Sequence, residues 1–108
     1  MNANMIDLNM ANFNKEVLDS EEPVLVEFWA GWCSLCKLMA PVIESVANGK
    51  DGGVKVVKVN LDENRTLADR FGIRAVPTVL VFNHGGLRDH IVGRATEQEI
   101  LEKLENCE

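Results

Sequence analysis

The sequence predicts an α/β sandwich with a mixed central sheet, on three observations. Valine-rich runs of strand length alternate with segments whose apolar residues recur at helical spacing, which implies parallel crossovers. The last two strand-like runs are joined instead by a glycine-containing turn, which adds an antiparallel hairpin. A chain of 108 residues with 46% apolar and 26% charged content is long enough for one core and too short for two, so residues 1–108 form a single domain.

The elements follow in order. Ile6–Leu8 reads as a brief strand, and Asn9 as the cap of a helix whose apolar face is Phe13, Val17 and Leu18. The polar stretch Asp19–Pro23 ends it. Val24–Trp29 is apolar at nearly every position, the pattern of a strand covered on both faces. After Cys33, the spacing of Leu35, Leu38, Met39, Val42, Ile43 and Val46 predicts a long helix, which the glycine-rich Asn48–Gly53 stops. Pro41 falls inside that helix, removes one backbone hydrogen bond and should kink it, a structural role. Val54–Val59 gives a third strand, and Leu67, Ala68 and Phe71 a short helix ending near Gly72. Thr78–Phe82 and Arg88–Val92 are strands joined around Asn83-His84-Gly85-Gly86. Thr96-Glu97-Gln98-Glu99 fits a capping box, ahead of a helix with Ile100, Leu101 and Leu104 on its apolar face. The order is β-α-β-α-β-α-β-β-α.

Composition excludes several classes. The net charge of −6, with no block of Lys or Arg, opposes binding to phosphate backbones, so nucleic acid is not an expected partner. The longest mostly apolar stretch, Val76–Phe82, is strand-sized and well short of the ~18 residues of a membrane span, so no membrane partner is expected either. Met1–Met5 carries no basic residue and leads into no apolar core of signal-peptide length, and the expectation is a cytoplasmic protein. Three cysteines are an odd number and too few for a secreted disulfide scaffold.

The chemistry concentrates at Trp32-Cys33-Ser34-Leu35-Cys36-Lys37, where a buried strand gives way to a helix. Two residues between cysteines in the first helical turn bring both sulfurs within bonding distance. Cys33 lies at the helix start, where unpaired backbone N–H groups and the helix dipole favour its thiolate, the species that attacks disulfides. Cys36 is one turn in and more shielded. Cys33 is therefore expected to attack and Cys36 to resolve. Half of a zinc site and an inert structural disulfide are the competing readings. Zinc would need two more ligands from His84, His90 and Cys107, none of which forms a second close pair. The two histidines read as solvated hairpin residues, and Cys107 as a flexible surface thiol. The charges from Glu97 to Glu105 read as a solvated helix face.

With these residues in view, the sequence resembles the thioredoxin family from about Ile6 to the last helix. The matching stretches are Val24 through Cys33, Cys36-Lys37 through Pro41, Lys58-Val59-Asn60-Leu61-Asp62, and Ile73-Arg74-Ala75-Val76-Pro77-Thr78. The resemblance implies a thioredoxin fold, a five-stranded mixed sheet flanked by four helices. It implies a cis Val76–Pro77 bond beside the cysteines, which fits a proline at the start of an apolar strand. It also implies that Val76 pairs with a substrate's extended chain and that Gly93 lines the same groove. Glu27 is the lone carboxylate of its strand. Burial would raise its pKa and make it a proton acceptor for the Cys36 thiol. The family usually has Asp there, one methylene shorter, and the longer side chain either reaches the sulfur more directly or turns toward Lys58, the matching lysine of the next strand. Trp29 is expected to pack beneath the site. Trp32 is expected to stand exposed beside it, offering apolar contact to partner proteins.

Ser34-Leu35 departs from the family's common Gly-Pro. Ser34 can cap the helix or donate to the Cys33 sulfur, and Leu35 places an exposed apolar side chain at the mouth. The implied activity is that of a protein disulfide reductase whose two sulfurs carry the electrons, with no other cofactor and no metal. The implied partners are a thioredoxin reductase, flavin- or ferredoxin-linked, and disulfide-containing target proteins, the chain itself acting as a monomer. A thiol oxidase or isomerase, or a non-catalytic binding subunit of the same fold, is the alternative.

Overall fold

The computed structural model describes residues 5–49 and 54–107. The expected helix stop at Asn48–Gly53 lies partly outside them, and within the described part the helix ends at Ala47 with Asn48 as its cap. Five strands, β1 (Met5–Asp7), β2 (Val24–Trp29), β3 (Lys55–Asn60), β4 (Thr78–Asn83) and β5 (Gly86–Val92), form one sheet in the order β1-β3-β2-β4-β5. β1 and β2 both run parallel to β3, while β4 runs antiparallel to β2 and β5 to β4. The mixed sheet expected from sequence is thus present, with strand ends displaced by one or two residues at β1, β3, β4 and β5.

Side chains alternate across the sheet, and the two faces carry separate cores. Val24, Val26 and Phe28 pack with Phe13, Val17, Leu67 and Phe82 on one face. Leu25, Val56, Val79 and Val81 pack on the other against Met39, Ile43, Ile100 and Leu104. Two helices, α1 (Ser34–Ala47) and α3 (Glu97–Glu105), cover this second face, and α2 (Arg65–Arg70) lies on the first beside a π-helical turn at Asn14–Leu18. That turn is the first of the four helices. Phe13 rather than Asn9 precedes it, because the Asn9 side chain instead accepts from the N–H groups of Ala11 and Asn12, at 2.8 and 3.2 Å, in a separate turn.

The remaining caps are local and legible. Thr96 and Glu99 form the reciprocal capping box of α3, at 2.8 and 3.1 Å. The β4–β5 turn puts both His84 (φ 52°) and Gly85 (φ 78°) in the left-handed region, as a two-residue hairpin turn of the primed kind requires.

Three apolar expectations are corrected. Leu38, counted on the buried stripe of α1, is 73% exposed. Leu35, expected at the open mouth, is half-buried and packs against both the helix-side core and the cysteines. Cys107, expected as a flexible surface thiol, is buried: its thiol donates to the Leu104 carbonyl at 2.9 Å, and the buried Asn83 amide donates to the Cys107 carbonyl at 3.1 Å. That tie closes the end of α3 onto the last residue of β4.

Candidate active site

The site forms where β2 and β3 end and α1 begins. Cys33 is the N-cap of α1, with extended backbone (φ −90°, ψ 107°), and its sulfur accepts the Cys36 backbone N–H at 3.1 Å. A sulfur thus occupies the place usually taken by a Ser or Asp oxygen, among the helix's unpaired donors. Ser34, offered as a possible cap, is instead the first helical residue and is exposed. Cys33 and Cys36 form a disulfide, with Cα atoms 5.3 Å apart. The expected difference in shielding does not appear in this closed form, since both cysteines are 6% exposed. What separates them is helix position.

Val76–Pro77 is a cis bond, and the Val76 carbonyl oxygen lies 3.6 Å from Cys33 Sγ. Gly93 has φ +86°, and its N–H donates to the Pro77 carbonyl at 2.8 Å. Glycine tolerates this left-handed conformation at no steric cost, and open space lies where a Cβ would point. The sulfur, the Val76–Pro77 step and Gly93 are therefore contiguous although they come from three separated segments.

Glu27 shares a sheet face with Leu25, the face that α1 covers, and is only 2% exposed. Its register partners are Lys58 on β3 and Val79 on β4. Burial pushes its pKa from 4.5 up to about 7, and the Lys58 ammonium draws it partly back. Glu27, Cys36, Lys37 and Lys58 together line a cleft of about 150 Å³. The carboxyl is thus kept poised near neutrality and shares an opening with the second sulfur. Lys58 does not turn fully to the carboxylate, because its Nζ stands 5.0 Å from the centre of the Trp29 ring. Trp29 packs against the cysteine cluster, and its indole N–H is buried with no acceptor among the described residues.

Trp32 is 66% exposed, yet it is fixed in place. Its indole N–H donates to Asp62 at 2.9 Å, and Arg65 holds the other oxygen of the same carboxylate at 3.0 Å. Sequence reading missed Asp62 as a site residue. It lay inside a matched motif, but nothing local connects it to a tryptophan thirty positions earlier. Pro41 faces solvent on α1 and leaves the Lys37 carbonyl without a helical donor. His84, His90 and Cys107 do not gather around the cysteine pair, and among the described residues no group of three or more His, Cys, Asp or Glu could hold a metal ion.

The thioredoxin family model matches residues 4–106. Curated relatives include thioredoxin 1 of Nostoc sp., 45% identical over 88% of this chain and 89% of its own. The thioredoxin of Rickettsia bellii is 42% identical over 88% and 90%, and that of Porphyra purpurea 41% identical over 89% of each. The family works through a redox-active disulfide, and in this chain the Cys33–Cys36 disulfide closes over the first turn of α1. The chain belongs to the thioredoxin family and is a protein disulfide reductase working by dithiol–disulfide exchange.

Proposed function

We propose that Cys33 attacks and Cys36 resolves. In the reduced protein the Cys33 thiolate attacks one sulfur of a target disulfide, forming a mixed disulfide and releasing the other target sulfur as a thiol. Cys36 then loses its proton to Glu27 and attacks Cys33 Sγ. The second target sulfur leaves and takes up a proton. The target has gained two electrons and two protons, and the Cys33–Cys36 disulfide is restored. The observation that carries this order is the cap: only Cys33 Sγ receives a helix N-terminal N–H, which stabilises negative charge on that sulfur. Cys36 shares its cleft with a carboxyl whose pKa of about 7 suits proton transfer near neutral pH. Lys58 tunes that carboxyl by its positive charge.

Trp32, Ser34, Leu35, Val76, Pro77 and Gly93 form the docking groove, in which the Val76 backbone pairs with an extended target segment. Trp29 and Pro41 are structural. A flavin- or ferredoxin-linked thioredoxin reductase returns electrons to the pair. The protein works as a cytoplasmic monomer. No helix among the described residues is long and apolar enough to cross a membrane.

Single-cysteine variants test the order. Cys36→Ser should accumulate a stable mixed disulfide with a disulfide-bonded model protein, visible on a non-reducing gel, and Cys33→Ser should not. Trapping by Cys33→Ser instead would reverse the assignment.

A further inference from the structure

The net charge of −6 does not describe the face that holds the cysteines. We propose that Lys37, Arg74 and Arg94 form a cationic rim that selects target proteins whose disulfide is flanked by acidic residues. The proposal rests on the reading of Cys33 as the attacking sulfur. Lys37 follows Cys36 by one residue and lines the cleft it shares with Glu27. Arg74 precedes Val76, whose carbonyl lies 3.6 Å from Cys33 Sγ, by two residues. Arg94 directly follows Gly93, which is hydrogen-bonded to Pro77 at 2.8 Å. All three are exposed, and among the described residues none takes part in an ion pair.

Of the acidic groups toward this end of the sheet, Asp62 is tied up and the others lie to the β1 side or farther along the fold. Asp62 is held by both Trp32 and Arg65. Glu63 lines a cleft with Asp7 and Lys58 on the β1 side. Glu97 accepts from Ser45, about 16 Å along α1 from its start. The cluster Asp19, Glu21 and Glu22 precedes β2, at the far end of a six-residue strand about 20 Å long. That distance exceeds two Debye lengths at physiological salt, so an incoming chain feels the rim and little of the distant acids. A target segment carrying Asp or Glu beside its disulfide meets complementary charge, and a basic one meets repulsion.

The test uses three synthetic disulfide peptides that differ only in their flanking residues: Asp-rich, neutral and Lys-rich. Second-order rates with the reduced protein would be measured at about 150 mM salt, where the distant acids are screened and the rim is not, and at about 1 M salt, where both are. The acidic peptide should react about tenfold faster than the basic one at low salt, and the difference should shrink to about twofold at high salt. The variant Arg74→Glu/Arg94→Glu should reverse the order while reducing the neutral peptide within about twofold of the parent rate. Equal rates for acidic and basic peptides in the parent, or an unchanged preference in the variant, would overturn the rim. If Cys33→Ser reduced all three peptides as fast as the parent, the attack assignment beneath the rim would fall instead.

Discussion

Glu27→Gln isolates the buried carboxyl at little steric cost, because the amide keeps its shape and cannot ionise. Folding moves the carboxyl pKa from 4.5 to about 7. At about 1.4 kcal/mol per unit, ionising Glu27 inside the fold costs about 3 kcal/mol more than in the unfolded chain. The sign follows from proton linkage. Between pH 4.5 and about 7 the folded state binds more protons than the unfolded one, so stability contributed by this group falls as pH rises through that window. Below the window the carboxyl is neutral in both states, and above it the full cost is present. The variant should therefore match the parent within about 1 kcal/mol near pH 5 and exceed it by about 3 kcal/mol near pH 9. At the higher pH its Tm should be about 10–15 °C above the parent's. Urea unfolding of the oxidised proteins measures this, with the cysteines locked out of the titration. A stability difference that stays constant from pH 5 to pH 9 would refute the reasoning. With Cys36 in place, the same variant should slow resolution of the mixed disulfide about 10²-fold while leaving the attack step unchanged.

Three further outcomes follow from the packing. Leu35→Ala should cost about 1–2 kcal/mol, less than a fully buried leucine, because Leu35 is half-buried between the helix-side core and the cysteines; denaturant midpoints check it. Cys107 should resist alkylation in the oxidised native protein and react at once in guanidinium, as mass spectrometry would show; equal rates in both would place the thiol back on the surface. Asp62→Ala should free the Trp32 indole, changing its fluorescence and lowering kcat/KM severalfold, with stability altered by about 0.5 kcal/mol or less since Asp62 is exposed.

The parts of the molecule that sequence reveals are those set by local pattern. Val24–Trp29 announces a strand covered on both faces, and within it the single carboxylate of Glu27 stands out because apolar neighbours leave it no solvent. Cys33, Cys36 and the capping box at Thr96 are likewise governed by spacing within one helical turn. What was not legible depends on how distant segments meet. Leu38 belongs to the apolar run, yet it lies off the stripe that Cys36, Met39, Ile43 and Val46 bury and is left exposed beside them. Leu35 turns inward because both the core and the cysteine cluster offer it contact. Cys107 looks terminal and free until Asn83, twenty-four positions earlier, holds its backbone. The link from Asp62 to Trp32 spans two elements and leaves no mark on either one. Asn9 carries the right residue type for a helix cap, but its side chain closes the preceding turn instead.

The most direct test of the account is the reduction potential of the Cys33–Cys36 pair, titrated against a defined dithiol buffer. A reductase of this family is expected near −270 mV, and a shift of 30 mV amounts to about 1.4 kcal/mol, within reach of the Ser34-Leu35 departure. A value close to −270 mV supports Cys33 and Cys36 as donors of electrons to target disulfides. A value of about −180 mV or higher would contradict that account and make the pair an isomerase or oxidase centre.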